Sequence, residues 1–300
     1  MHSPMRARIA GRLCHTRRAA GMLEPIIDSH AHLLFPELVG QAEDVLRRAA
    51  EAGVEAIINV GTRPETNPGT VEQTHRLNGH AMPEWPHVYA SVGFHPHEAD
   101  QIRDEHWPEI ERQARQTEVV ALGEFGLDYH YEHSSREGQQ RVLRRGIELA
   151  LRTKLPMIVH SRDAGLEVVQ TLDEVAGREH MPRGVFHCFT DPWPVAEAAL
   201  ERGFYVGLTG IVTYPNSENV REVARRIPLE RLLVETDAPF CTPEPVRSAR
   251  RKVRRKGKDE PNEPALVALV CDALAELHGV ALDAVRRVTT DNCRKLFGLH

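Results

Sequence analysis

Three hundred residues, 41% apolar and 27% charged, describe a soluble globular chain that needs no disulfides to bury a core and suits one α/β barrel of ~250 residues. No stretch approaches the ~20 consecutive apolar residues of a membrane span, and a formal net charge of −5 excludes a polycation that coats nucleic acid by charge alone. Five cysteines (Cys14, Cys188, Cys241, Cys271 and Cys293), odd in number and without a Cys-x-x-Cys pair, exclude a zinc knuckle and point to a reducing cytoplasm.

The chain opens on an Arg-rich segment with no acid before Glu24 and no apolar central run, so it is not a secretory signal. It reads as an extension over 1–24, with Met22 a plausible true start, ahead of one folded domain over 25–300. Within that domain, short apolar runs recur at 26–28, 56–60, 88–92, 119–122, 157–159, 184–186, 204–208 and 232–234. Each is too short for a helix and lacks strict alternation, as fully buried parallel strands do. The segments between them have helical periodicity: Leu143, Ile147, Ala150 and Leu151 share one face. Asp191 is expected to cap a helix that opens with a proline and closes at Gly203. Asn262 is expected to cap the helix carrying Leu266, Val267, Val270, Leu274 and Leu277. Eight such alternations predict an α/β fold, a closed (β/α)₈ TIM barrel. No Gly-x-Gly-x-x-Gly follows the first run, which excludes the dinucleotide-binding variant.

The polar residues concentrate where the strands end. The clusters are Asp28-Ser-His30-Ala-His32, Gly93-Phe-His95-Pro96, Gly123-Glu124-Phe-Gly126, His160-Ser-Arg162, His187-Cys188 and Glu235-Thr-Asp237. In a barrel all these ends open on one face, where active sites lie. Alternation along the first strand predicts that Asp28, His30 and His32 point one way, with Ser29 and Ala31 toward the helices. Two imidazoles so spaced can chelate a metal, with Asp28 orienting a ring from behind. Singly, His160 and His187 read as packed imidazoles, Glu124 as a surface carboxylate and Asp237 as a cap. Together, four imidazoles and two carboxylates in a desolvated mouth require cations.

Six motifs, Asp28-Ser-His-Ala-His32, Gly93-Phe-His-Pro96, Gly123-Glu-Phe-Gly-Leu-Asp-Tyr129, His187-Cys-Phe-Thr190, Glu235-Thr-Asp-Ala-Pro-Phe240 and Asn262-Glu-Pro264, together resemble the TatD family of metal-dependent deoxyribonucleases. The similarity runs in order from about Ile26 to Leu299. The resemblance implies two divalent ions, Mg²⁺ or Mn²⁺ for activity, while the imidazole-rich ligation by itself also suits Zn²⁺. It implies that His30, His32 and Asp237 hold one ion, that His160 and His187 hold the other, that Glu124 bridges them, and that His95 contacts phosphate. It also implies phosphodiester hydrolysis, commonly 3′→5′ exonuclease action on DNA and sometimes RNA. The chain departs from the family at Asp191, where Gly is usual, in a longer region over 62–86, and in a basic insertion over 246–260.

Two divalent ions against two carboxylates leave positive charge for an anionic substrate, and metal coordination lowers the pKa of water from 15.7 to about 7. Asp237 and Glu124 are then the catalytic candidates, with one Asp237 oxygen left to accept the proton of the attacking water. Arg247, in the insertion with Arg250, Arg251, Lys252, Arg254, Arg255, Lys256 and Lys258, is a candidate contact to the nucleic-acid backbone. Asp128 and Tyr129 read as pocket rim or loop, His97, His130 and His133 as loop residues, and Cys188 and Cys241 as packing. The alternatives are an amidohydrolase-like C–N or ester hydrolase, an aminoacyl-tRNA deacylase, and a silent metal-binding scaffold. Binuclear amidohydrolases commonly bridge with a carboxylated Lys; none of the five lysines stands at the fourth strand's end, and Glu124 does. No protein partner is legible in the sequence.

Overall fold

Residues 23–253 and 260–299 are described in a computed structural model. Eight parallel strands hydrogen-bond in sequential order: β1 (Ile26–Ala31), β2 (Val54–Val60), β3 (His87–Val92), β4 (Val119–Asp128), β5 (Met157–Arg162), β6 (Gly184–Phe186), β7 (Tyr205–Leu208) and β8 (Leu232–Val234). A bridge from Ala31 to Ala238 nearly closes the circle. Two backbone hydrogen bonds support it, from His32 N–H to the Ala238 carbonyl (2.8 Å) and from Asp237 N–H to the His30 carbonyl (2.9 Å). The expected (β/α)₈ barrel is therefore the fold, and each of the eight apolar runs supplies a strand.

The helices are α1 (Ala42–Glu51), α2 (Asn67–Gly79), α3 (His106–Gln113), α4 (Arg136–Thr153), α5 (Gly165–Ala176), α6 (Trp193–Glu201), α7 (Glu218–Arg226), α8 (Val246–Val253), α9 (Val267–His278) and α10 (Leu282–Phe297). Their apolar faces bury Leu46, Val71, Leu143, Val168, Ala196 and Val270 against the outside of the sheet. A smaller cluster fills the barrel itself: Ile27, Ile58, Ala121, Ile158, Val185 and Leu233 meet Leu296, Phe297 and Leu299 at the end of α10, which stops one end of the barrel. The polar strand ends surround the other opening. Among the described residues, no single helix is long and apolar enough to cross a membrane.

Three local expectations differ from the fold. The Asp191 side chain does not cap α6; its carboxylate accepts from the Ser161 hydroxyl at 2.6 Å, across two strand ends. Gly203 does follow the helix in a left-handed conformation, φ 81°. Asn262 does not cap a helix either; its Nδ2 donates to the carbonyls of Thr236 (2.9 Å) and Phe240 (2.6 Å) and pins the segment after β8. In both, a partner distant in sequence outcompetes the local backbone for a short polar side chain. The basic insertion over 246–260, whose dense run of charge reads as a solvated loop, begins instead as helix α8. Residues 1–22 of the extension expected over 1–24, and the basic residues over 254–259, lie outside the described residues.

Candidate metal centre

Two irregularities in the sheet build this site. Asp28 to Ala31 on β1 spans only Ile57 to Asn59 on β2, and Leu122 to Phe125 on β4 spans only Met157 to Val159 on β5. One extra residue breaks the side-chain alternation, as bulges beside active sites do. On β4 this turns Phe125 outward onto Phe94 (5.9 Å between ring centres) and Trp107 (6.0 Å), while Glu124 points inward, 2% exposed. Gly126 follows because a Cβ there would strike the His160 carbonyl of β5.

On β1 the bulge corrects the expected alternation. Ser29 faces inward and donates to Glu235 Oε2 at 3.2 Å, and Ala31 packs outward in the core beneath the helices. Among the described residues Asp28 makes no hydrogen bond to an imidazole; it accepts from the Thr236 hydroxyl (2.6 Å), the Thr236 N–H (2.9 Å) and the His30 N–H (3.3 Å). It therefore orients backbone rather than a ring. Burial raises its carboxyl to about 7 against those hydrogen bonds.

His30, His32, Glu124, His160, His187 and Asp237 converge in the mouth. His30 Nε2 and His32 Nε2 lie 3.2 Å apart. Glu124 Oε1 is 3.4 Å and 3.5 Å from them, and Asp237 Oδ1 is 3.7 Å and 3.4 Å. The other Glu124 oxygen, Oε2, is 2.7 Å from His187 Nε2, 3.3 Å from His160 Nδ1 and 3.8 Å from His95 Nε2. His160 Nδ1 and His187 Nε2 are 3.2 Å apart.

These residues fit cations. Ligand atoms around a tetrahedral ion at ~2.0–2.1 Å stand about 3.4 Å from one another, close to the spacings of the first group. The outer ring nitrogens fix the tautomers. His32 Nδ1 is 3.1 Å from the Val60 carbonyl and so carries the proton, leaving the Nε2 lone pair to face inward. His160 Nε2 is 3.2 Å from Asp128 Oδ2, leaving its Nδ1 lone pair for the site. The cluster also draws positive charge: although burial opposes it, Asp128 and Glu124 raise His160 to about 9. His30, by contrast, is lowered to about 4 by burial and by the neighbouring His187.

His95 is built differently. Its Nδ1 accepts the His97 N–H at 3.1 Å, so the ring proton sits on Nε2 and points at the site. Burial holds this imidazole well below its ordinary pKa, so it is neutral and a donor.

Several residues of the mouth had no assigned role in the sequence, or only that of rim or loop. Asp128 and His97 are joined at 3.0 Å, and both line the mouth. Glu235 is fully buried under His187, accepting the Cys188 N–H at 2.5 Å, and burial keeps its carboxyl well above the usual range. Arg63 and Arg162 line the wall of a cavity of about 530 Å³, together with Phe35, Tyr131 and Phe240. Arg247 is not among the lining residues; its guanidinium lies over the Tyr214 ring (4.2 Å) and 3.6 Å from Glu244. Arg63 was hard to find because a lone arginine after a strand looks like any surface charge, whereas Arg162 already stood in the strand-end cluster of β5. The Asp128–His97 pair joins the end of β4 to the turn after β3, and nothing in the sequence pairs the two residues.

Comparison with known proteins bears on this centre. The family model described as TatD related DNase matches residues 27–298. The chain is 36% identical over 275 residues to the uncharacterized metal-dependent hydrolase YabD of Bacillus subtilis, covering 92% of this chain and 100% of that protein. It is 31% identical over 275 residues to the 3'-5' ssDNA/RNA exonuclease TatD of Citrobacter rodentium, covering 91% and 98%. The crystal structure of YjjV, a TatD homolog from Escherichia coli, superposes with a TM-score of 0.79 at 31% identity over 93% of this chain and 100% of that one.

Proposed function

The chain belongs to the TatD-related DNase family, and from that premise we propose that it is a 3′→5′ exonuclease hydrolysing the phosphodiester bonds of single-stranded DNA or RNA at a centre of two divalent cations. One observation carries the reading: Glu124 divides its oxygens, Oε1 toward His30 and His32 and Oε2 toward His160 and His187. A carboxylate so placed could be shared by two ions, of which His30, His32 and Asp237 would hold one and His160 and His187 the other. Mg²⁺ or Mn²⁺ suits the carboxylates and Zn²⁺ the imidazoles. When bound, such ions polarise a phosphoryl oxygen and lower the pKa of water toward neutrality.

The chain's own groups do the rest. His95, neutral with its proton on Nε2, donates to a non-bridging phosphate oxygen. Asp237 Oδ1 faces His30 and His32, and its Oδ2 remains to take the proton of the attacking water. Arg63 and Arg162 offset backbone charge along the cavity wall. A cavity of about 530 Å³ falls within the ~300–1,000 Å³ of pockets that engulf small ligands. It suits the end of one strand and not an intact duplex. Glu124, standing where a carboxylated Lys would bridge, disfavours the amidohydrolase alternative.

Digestion of end-labelled oligonucleotides with Mg²⁺, Mn²⁺ or Zn²⁺, run beside amide and ester substrates, tests the proposal. Stepwise shortening from the 3′ end supports it. Cleavage of the amide or ester alone defeats it.

A further inference from the structure

Asp237 has two neighbourhoods. Its Oδ1 faces the histidines, whereas its Oδ2 lies 3.5 Å from Cys241 Sγ, which is 3.8 Å from Cys188 Sγ. Both cysteines are free, partly exposed and line the same cavity as the metal centre. One ligand atom from each of Cys188, Cys241 and Asp237 lies within 4.8 Å of the others. Thr209 Oγ1, 3.7 Å from Cys188 Sγ, closes the far side.

The spacing decides between two roles for the sulfurs. A disulfide would bring them to ~2.05 Å. Two thiolates on one tetrahedral ion at ~2.3 Å stand about 3.8 Å apart, and a thiolate and a carboxylate oxygen at ~2.0 Å stand about 3.5 Å apart. Both of these spacings are present. The backbone agrees: Cys188 (φ 44°), Asp237 (φ 51°) and Cys241 (φ 53°) all adopt the left-handed conformation, three of the six non-glycine residues that do so among those described. Such a concentration of uncommon backbone is a feature of functional sites.

We propose that Cys188, Cys241 and Asp237 form a third cation site, selective for thiophilic ions such as Zn²⁺ or Cd²⁺, which shares Asp237 with the binuclear centre. Two thiolates select soft ions over Mg²⁺ and Mn²⁺, which prefer oxygen. Binding displaces the two thiol protons to solvent and occupies Asp237 Oδ2. The site is then an inhibitory one, because the oxygen that accepts the water's proton is no longer available. Only this inhibition rests on the proposed function; the binding does not.

The experiment uses the full chain saturated with Mn²⁺ and titrated with Cd²⁺. The readout is the ultraviolet charge-transfer band of thiolate bound to cadmium, which histidine and carboxylate ligands cannot produce. About one equivalent should develop the band in the wild type, and Cys188→Ser or Cys241→Ser should each abolish or greatly weaken it. Hydrolysis of the labelled oligonucleotide should fall in step by tenfold or more, since a general base contributes ~10²–10⁴, and both variants should resist this loss. No band, or a band that survives in the double variant, overturns the site. Loss of two titratable thiols to hydrogen peroxide, without any cadmium band, overturns it in favour of a disulfide pair. A band that forms while hydrolysis is untouched overturns the inhibition. Absence of oligonucleotide hydrolysis before cadmium is added counts against the proposed function, and the band still tests the site.

Discussion

Asp128 Oδ2 is shared between two imidazoles, 3.2 Å from His160 Nε2 and 3.0 Å from His97 Nε2. Burial works to raise this carboxyl, but the two hydrogen bonds outweigh it and hold it far below the usual range. The contact fixes which His160 nitrogen faces Glu124. Asp128→Asn should weaken the second cation by ~10–100-fold, the usual cost of losing an outer partner, with little change in thermal stability. Cation titration by calorimetry measures it, and an unaltered second affinity refutes the orienting role.

The same contact sets a pH dependence. His160 is raised to about 9, so in the cation-free protein its site nitrogen is protonated at neutral pH. A cation must displace that proton. As pH falls below about 9, apparent affinity at the second position should drop by about tenfold per unit. Calorimetry in buffers of different ionisation enthalpy should detect about one proton released on binding. An affinity flat between pH 6 and 8 would contradict the assignment.

Asp237→Asn keeps a residue that tolerates the left-handed backbone at this position (φ 51°) but loses the carboxylate. Turnover should fall by ~10²–10⁴, while the thermal midpoint moves by no more than roughly 4 °C, the shift of about 1 kcal/mol in a large domain. His160→Ala and His187→Ala should each bind one ion fewer by elemental analysis. A stable Asn variant with more than a tenth of wild-type turnover would remove Asp237 from the chemistry.

How far the sequence revealed this molecule depended on the range of the forces involved. Strands such as 157–159 and 232–234 were legible because burial on both faces leaves an unbroken apolar run. His30, His32, Glu124, His160, His187 and Asp237 were legible because the barrel topology gathers strand ends, whatever their separation in sequence. The bulges were not, since nothing in Asp28-Ser-His or Leu122-Gly-Glu states which residue will be skipped. Asp191 and Asn262 were misread because short polar side chains signal caps locally, and only the folded chain offers Ser161 or the carbonyls of Thr236 and Phe240 instead.

Arg63 and Arg162 now compete with the basic insertion for the substrate backbone. Each phosphate contact contributes ~0.7 to the log–log salt slope on a single strand. Arg63→Ala with Arg162→Ala should therefore flatten that slope by about 1.4 if both arginines engage. Arg247→Ala alone should change it little, because that residue is not among those lining the cavity. Binding of labelled oligonucleotide across a salt series separates them, and the reverse pattern would return the backbone contact to the insertion.

The join between the first and last strands has a further meaning. Among the described residues, β1 and the segment following β8 share one bridge, Ala31 to Ala238, where every other neighbouring pair of strands has a ladder of at least two. His30 and His32 stand on one side of that seam and Asp237 on the other. An ion held by all three is a rivet between residues some two hundred positions apart. Chelation should therefore open the seam before the rest of the barrel: the amides of His32 and Asp237, which cross it, should exchange hydrogen faster while those of β5 and β6 hardly change. At a hundredfold excess over its dissociation constant a cation adds ~2.7 kcal/mol to stability, so an ion held by these three residues would also be the clasp that keeps the barrel shut.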